Sequence, residues 1–238
     1  MSEPVAVLFV HGIRTSATMW RHQVDALQSR GHRALAIDLP GHGSRLGETF
    51  SVAGALNAID AGVRDLGGRV LLVGLSLGGY YSIAYAARHP EAVAGLIAAG
   101  CCVVPRGGPL AAYRGLAAVI HRLPDRGLWL HTAAVRALLP AAAQRDVLAG
   151  GVALDVMDAG LRATGTLHPL ADLAAYPGPV WLVNGRYDQF RLQERRFRAV
   201  CQNGTRVLIP GATHLSSLAQ PGRFTAVVAT VARRLSAA

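Results

Sequence analysis

No lysine occurs in this sequence of 238 residues, in which all 24 basic side chains are arginine. That absence excludes a Schiff-base enzyme, a P-loop ATPase and a Ser-x-x-Lys acylase, each of which needs a side-chain primary amine. Cysteine is scarce, with three, at Cys101, Cys102 and Cys201. At least one must stay unpaired and no framework of spaced pairs exists, so a reducing, cytoplasmic compartment is expected. Long apolar runs are also missing. The longest, 92–104, falls short of the roughly 18 to 20 residues a membrane span requires. The amino terminus has neither the basic segment nor the apolar length of a signal peptide. A soluble, unexported protein with no membrane span follows as the expectation. His-Glu-x-x-His, clustered cysteines and Gly-x-Gly-x-x-Gly are absent as well, so neither a metal nor a dinucleotide cofactor is implied.

Acidic side chains number only 14, leaving a formal charge of +10. Such a surface attracts acidic substrates or an acidic acyl carrier protein, although an Ala-, Arg- and Gly-rich chain without lysine also reads as GC-rich coding. The arginines are scattered, and no finger, basic-zipper or aromatic RNA-binding motif is present, so no nucleic-acid partner is expected. The one dense group, Arg191, Arg195, Arg196 and Arg198, has the spacing of a solvated helix face.

With 51% hydrophobic and 16% charged residues the chain is globular, and its length suits one domain with room for a lid. Short β-branched runs at 5–10, 34–37, 70–73, 93–98, 180–183 and 207–209 alternate with helical patterns at 19–29, 52–66, 77–88, 189–201 and 223–235. The runs are nearly continuous apolar, as strands covered on both faces must be. The pattern therefore predicts an α/β fold with a mostly parallel sheet flanked by helices. One segment breaks the alternation. Residues 102–176 hold no convincing strand, are rich in Ala, Leu and Arg, and contain Pro105, Pro109, Pro124 and Pro140, which predicts an inserted lid of several short helices. The expected division is a core of 1–101 and 177–238 with a lid of 102–176.

The strongest chemical signal is Val70-Leu-Leu-Val-Gly74-Leu75-Ser76-Leu77-Gly78-Gly79, a strand running into Gly-x-Ser-x-Gly and then a helix. A sharp strand-to-helix turn holds a hydroxyl in the open, and the glycines give the crowded backbone room. The helix start lies under Ser76, so the Leu77 N–H points to where an oxyanion would form.

Here the chain resembles the α/β-hydrolase superfamily, over nearly its whole length. His11-Gly12-Ile13 resembles the family's His-Gly-x turn, with Trp20 at a familiar spacing, and the resemblance makes the Ile13 N–H the second oxyanion donor. Asp38-Leu-Pro-Gly-His42-Gly-Ser44 is similar to a loop common in these enzymes, in which Asp38 and His42 shape the backbone. A serine hydroxyl needs a base and a group to orient it. His214, directly after the last strand, stands where the family carries its histidine. Asp188, 26 residues earlier at the end of the preceding strand, stands where the family carries its acid and fits the order Ser, Asp, His. Leu75 replaces the histidine most often found before the nucleophile, and a serine rather than aspartate nucleophile argues against a haloalkane dehalogenase or epoxide hydrolase. Arg14, beside the His-Gly turn, either holds a substrate carboxylate or faces solvent. Tyr80 and Tyr81 read as packing residues, Cys101 and Cys102 as small buried hydrophobes, and one of His121, His131 and His168 as a candidate substrate contact.

These features imply a cofactor-independent serine hydrolase cleaving a small-molecule carboxylic ester, lactone or thioester. Rival readings are a triad-bearing lyase or carbon–carbon bond hydrolase, with Arg14 gripping an anionic substrate, and a thioesterase or acyltransferase served by an acidic carrier protein. A non-catalytic hydrolase-fold receptor would usually have lost a triad member or an oxyanion glycine, and none is missing here.

Overall fold

In the computed structural model, which describes residues 4–237, the expected apolar runs become strands β1 (Ala6–Val10), β2 (Ala34–Ile37), β3 (Val70–Leu75), β4 (Val93–Ala99), β5 (Pro179–Gly185) and β6 (Asn203–Ile209). Residues 1–3 and 238, included above in the core ranges, lie outside the described residues. The strands form one sheet in the order β2-β1-β3-β4-β5-β6. Every pairing among them is parallel, where the sequence predicts a mostly parallel sheet.

The helices before β4 are α1 (Arg21–Gln28), α2 (Val52–Asp65) and α3 (Leu77–Arg88). Between β4 and β5 stand α4 (Gly107–His121), α5 (Leu128–Leu138), α6 (Ala141–Ala149), α7 (Met157–Gly165) and α8 (Pro169–Ala175). After β5 come α9 (Glu194–Val200), α10 (Ser216–Ala219) and α11 (Pro221–Ser236). No helix among the described residues is long and apolar enough to cross a membrane.

Period-two alternation divides the buried strand residues between two layers. Val7, Phe9, Leu71 and Val73 pack with Leu27 of α1 and Phe224 and Val228 of α11. Their neighbours Leu8, Val10, Val70 and Leu72 pack on the opposite face with Ile59 and Val63 of α2 and Tyr81 and Tyr85 of α3. Trp20 anchors the first layer, its ring 4.9 Å from Phe9 and 5.7 Å from Phe224. α2 starts where the Ser51 hydroxyl accepts the Gly54 N–H at 3.0 Å, satisfying a donor the helix cannot use.

The segment between β4 and β5 has two parts. α8 packs against α3 and α9, with Leu173 and Tyr176 buried in the core. α4 packs on α7, and α6 meets the short 3₁₀ turn Ala17–Trp20. Arg106 ties the segment's start to the end of α7 by donating to the carbonyls of Gly165 and Leu167, both at 3.1 Å. Thr18 Oγ1 donates to the Asp146 carbonyl at 2.5 Å, joining the turn after β1 to α6. Because all strands run the same way, the loops at their carboxyl ends gather along one edge of the sheet, beside this segment.

Candidate active site

Ser76 occupies the turn between β3 and α3, at φ 54° and ψ −117°. A non-glycine residue there is strained, and the strain is held by close packing on both sides. The Ser76 N–H donates to the Ala99 carbonyl at 2.8 Å and the Gly78 N–H to the His11 carbonyl at 3.1 Å, stitching the turn to β4 and β1. A Cβ on Gly78 would collide with the Val10 and His11 carbonyls, and one on Gly74 with the Gly78 carbonyl and Ser82 Oγ. Both flanking glycines of the motif are therefore required by backbone approach.

The turn after β1 is built around the Gly12 carbonyl. It accepts from Thr15 Oγ1 at 2.8 Å, from the Thr15 N–H at 3.4 Å and from His11 Nδ1 at 2.7 Å. His11 Nε2 accepts the Leu39 N–H at 3.0 Å, so Nδ1 carries the ring proton. Burial, and then neighbouring His42, push the His11 pKa down to about 3, which keeps the ring neutral. In a trans peptide the N–H points opposite to the C=O, so a Gly12 carbonyl held inward turns the Ile13 N–H outward. Asp38 braces the same turn. Burial opposes its charge, but hydrogen bonds from the Ala17 N–H and from the N–H and hydroxyl of Ser44 outweigh burial and hold its pKa below the usual range. Its place is thus structural, as is that of His42, whose Nδ1 donates to the Pro40 carbonyl at 3.0 Å.

Asp188 and His214 come from the loops after β5 and β6. Asp188 is buried, and its Oδ1 accepts the Phe190 N–H at 2.8 Å and His214 Nδ1 at 3.1 Å. Since the carboxylate oxygen acts as acceptor, Nδ1 donates and Nε2 keeps a free lone pair. The Phe190 ring lies on the imidazole, centroids 4.6 Å apart. His214 and Ser76 then line one cavity of about 350 Å³ with Ile13, Leu77 and Phe190. Among the described residues, the N–H groups of Ile13 and Leu77 have no acceptor.

The rest of that cavity wall comes largely from side chains that no motif marks. Tyr113 and Leu116 of α4 and Leu161 and Thr164 of α7 close it from the segment between β4 and β5. Tyr113 sits edge-on to Phe190 at 6.2 Å. Tyr80 also lines it, with its hydroxyl donating to the Val103 carbonyl at 2.6 Å, so its role extends beyond the expected packing, whereas Tyr81 is fully buried. A larger groove of about 620 Å³, between the loop after β2 and residues 124–128 and 152–159, contains none of Ser76, Asp188 and His214. Cys101 and Cys102 are buried, and burial pushes their thiols up, Cys102 to about 12, so neither is a thiolate nucleophile. Arg14 is half-buried rather than solvent-facing, and His131 lies close enough for Arg14 to perturb it.

A model of the alpha/beta hydrolase family matches residues 7–227. The chain belongs to the alpha/beta hydrolase family. Within this family it is similar to the 2-hydroxy-6-oxononadienedioate/2-hydroxy-6-oxononatrienedioate hydrolase of Burkholderia vietnamiensis, 38% identical over 104 residues covering 40% of this chain and 35% of that protein. It is also similar to the probable esterase PIR7A of rice, Oryza sativa, 33% identical over 106 residues covering 42% of this chain and 40% of that protein. The alignments thus span less than half the length of these curated relatives. Among solved structures, a thermophilic esterase from Thermogutta terrifontis shares the fold with a TM-score of 0.80 at 22% identity, over 99% of this chain and 92% of that one.

Proposed function

We propose that this alpha/beta hydrolase is a serine hydrolase that cleaves a small-molecule carboxylic ester, or the related lactone or thioester, through an acyl-enzyme on Ser76. The observation that carries the reading is the meeting, at one cavity, of the Ser76 hydroxyl, the Asp188-oriented imidazole of His214 and two unengaged N–H groups. As Ser76 Oγ bonds to the acyl carbon, His214 Nε2 takes its proton, and the carbonyl oxygen becomes an oxyanion facing the N–H groups of Ile13 and Leu77. Collapse of the tetrahedral intermediate expels the alcohol, protonated by the imidazolium. Water repeats the sequence with the same base and frees the acid. The segment between β4 and β5 serves as the lid, its α4 and α7 roofing the cavity, and the largely apolar wall suits an apolar acyl or alcohol group.

A carbon–carbon bond hydrolase is the second reading, favoured by the stretch 38% identical to the Burkholderia hydrolase of a 2-hydroxy-6-oxo diacid. Turnover of p-nitrophenyl esters of graded acyl length, beside a fluorophosphonate label located by mass spectrometry, tests both. The expected result is a label on Ser76 and a loss of at least about 10³-fold in kcat for Ser76→Ala. No label on Ser76 overturns the nucleophile. A labelled Ser76 with no ester turnover transfers the site to the carbon–carbon reading.

A further inference from the structure

A second cavity, of about 210 Å³, lies against the first, with Tyr113 and Leu116 forming walls of both. Arg14 lines it, one residue beyond the Ile13 N–H. Several observations make this arginine unlike its neighbours. Its backbone sits at φ 66°, a strained position for a bulky residue, braced where its carbonyl accepts the Ala153 N–H at 3.4 Å. Its Nε is buried without an acceptor, and its one side-chain hydrogen bond among the described residues runs from Nη2 to the Gly127 carbonyl at 3.5 Å. No carboxylate pairs with it among the described residues, whereas Arg126 pairs with Asp155, and Arg114 and Arg162 with Asp158. His131 of α5 is close by, its Nε2 also buried without a partner. A half-buried cation with no counter-charge is costly unless something supplies one.

We propose that this cavity is an anion subsite in which Arg14 binds a carboxylate carried by the substrate, so that the esters cleaved at Ser76 are half-esters of short dicarboxylic acids. The assignment rests on the reading of Ser76 as nucleophile and adds the substrate's charge to it. Charge balance selects a carboxylate over a phosphate dianion. Arg126, the other arginine of this wall, is engaged by Asp155. Among the described residues Arg14 is thus the one arginine of this wall without a carboxylate partner, which suits a ligand with one negative charge. The planar guanidinium fork matches a carboxylate, and the neutral hydroxyl of Tyr113, on the wall of the same cavity, adds a donor without adding charge.

The test compares mono-p-nitrophenyl glutarate with neutral p-nitrophenyl pentanoate as a ratio of kcat/KM, which cancels any general disturbance of the oxyanion turn. The wild type should favour the half-ester by about tenfold or more, and Arg14→Gln should collapse that ratio by about 10- to 100-fold, mainly through KM. Calorimetric titration of glutarate into Ser76→Ala, with and without Arg14→Gln, reads the subsite without catalysis. Binding lost with Arg14→Gln supports it. A ratio unchanged by Arg14→Gln, or glutarate bound equally by both proteins, overturns it, and an alkylphosphonate bound tenfold tighter than glutarate overturns the carboxylate assignment. Absence of any turnover or Ser76 label would defeat the hydrolase reading alone, since the titration still decides the subsite.

Discussion

Three donors on the Gly12 carbonyl fix one peptide plane, and with it the direction of the Ile13 N–H beside the cavity that Ile13 lines. The Asp188 carboxylate likewise fixes an orientation, that of the His214 imidazole, by accepting from its Nδ1. Asp188→Asn keeps the volume but can donate to Nδ1 and select the wrong tautomer. In the proposed mechanism it should lower kcat by about 10³- to 10⁴-fold with KM little changed and the thermal midpoint near that of wild type. Steady-state kinetics beside circular dichroism checks this, and a loss below tenfold would remove Asp188 from the site. The polar members of the site were legible because each follows a strand end within a recognisable run. Tyr113 and Phe190 were not. They meet the imidazole and the cavity only through tertiary approach of α4 and the loop after β5, and nothing in their local sequence marks them. Arg14 could be noticed from its neighbours, but its missing counter-ion is visible only once the chain is folded.

Elements were legible in proportion to their coverage. β3 is buried on both faces and reads as an unbroken apolar run, while only the end of β6 does so. As an edge strand β6 exposes Asn203, Thr205 and Arg206, and its first half therefore looks like loop. In the segment between β4 and β5 the helix limits could not be drawn, because apolar side chains also point outward, among them Trp129 at 69% exposure and Leu138 at 67%. Helix periodicity is erased when both faces are apolar. Glycines in two helices give contrasting predictions. Gly78→Ala forces a methyl into the backbone of β1 and should cost about 1–3 kcal/mol of stability. Gly115→Ala, in α4 with nothing within 4 Å of the added carbon, should raise stability by about 0.5–1 kcal/mol. Urea denaturation of both variants gives the comparison, and equal effects would contradict the packing described at the turn.

For the whole molecule, buried neutral imidazoles set the response to acid. Burial depresses the pKa of His11, to about 3, and that of His42. Above about pH 6.5 neither the folded nor the unfolded chain protonates them; below it the unfolded chain takes the protons first, so stability falls as pH falls. Between pH 7 and pH 5 His11 alone should remove about 2 kcal/mol from the unfolding free energy. Asp38, held low in the folded state, adds a further loss only below the ordinary carboxylate range. Urea midpoints at pH 7, 6 and 5 measure the effect, and a stability that stays flat or rises toward pH 5 would show that these histidines are protonated in the folded protein.

β4 and β5 are sheet neighbours although about 80 residues separate them in the chain. Loop-closure entropy grows only with the logarithm of that separation, so halving or doubling the intervening segment changes the cost of joining the two strands by about 0.6 kcal/mol. The sheet is therefore almost indifferent to how much chain is spent over the cavity. On the proposed mechanism, substrate range can drift through insertions and deletions there while the strands that carry Ser76, Asp188 and His214 to the cavity stay in register.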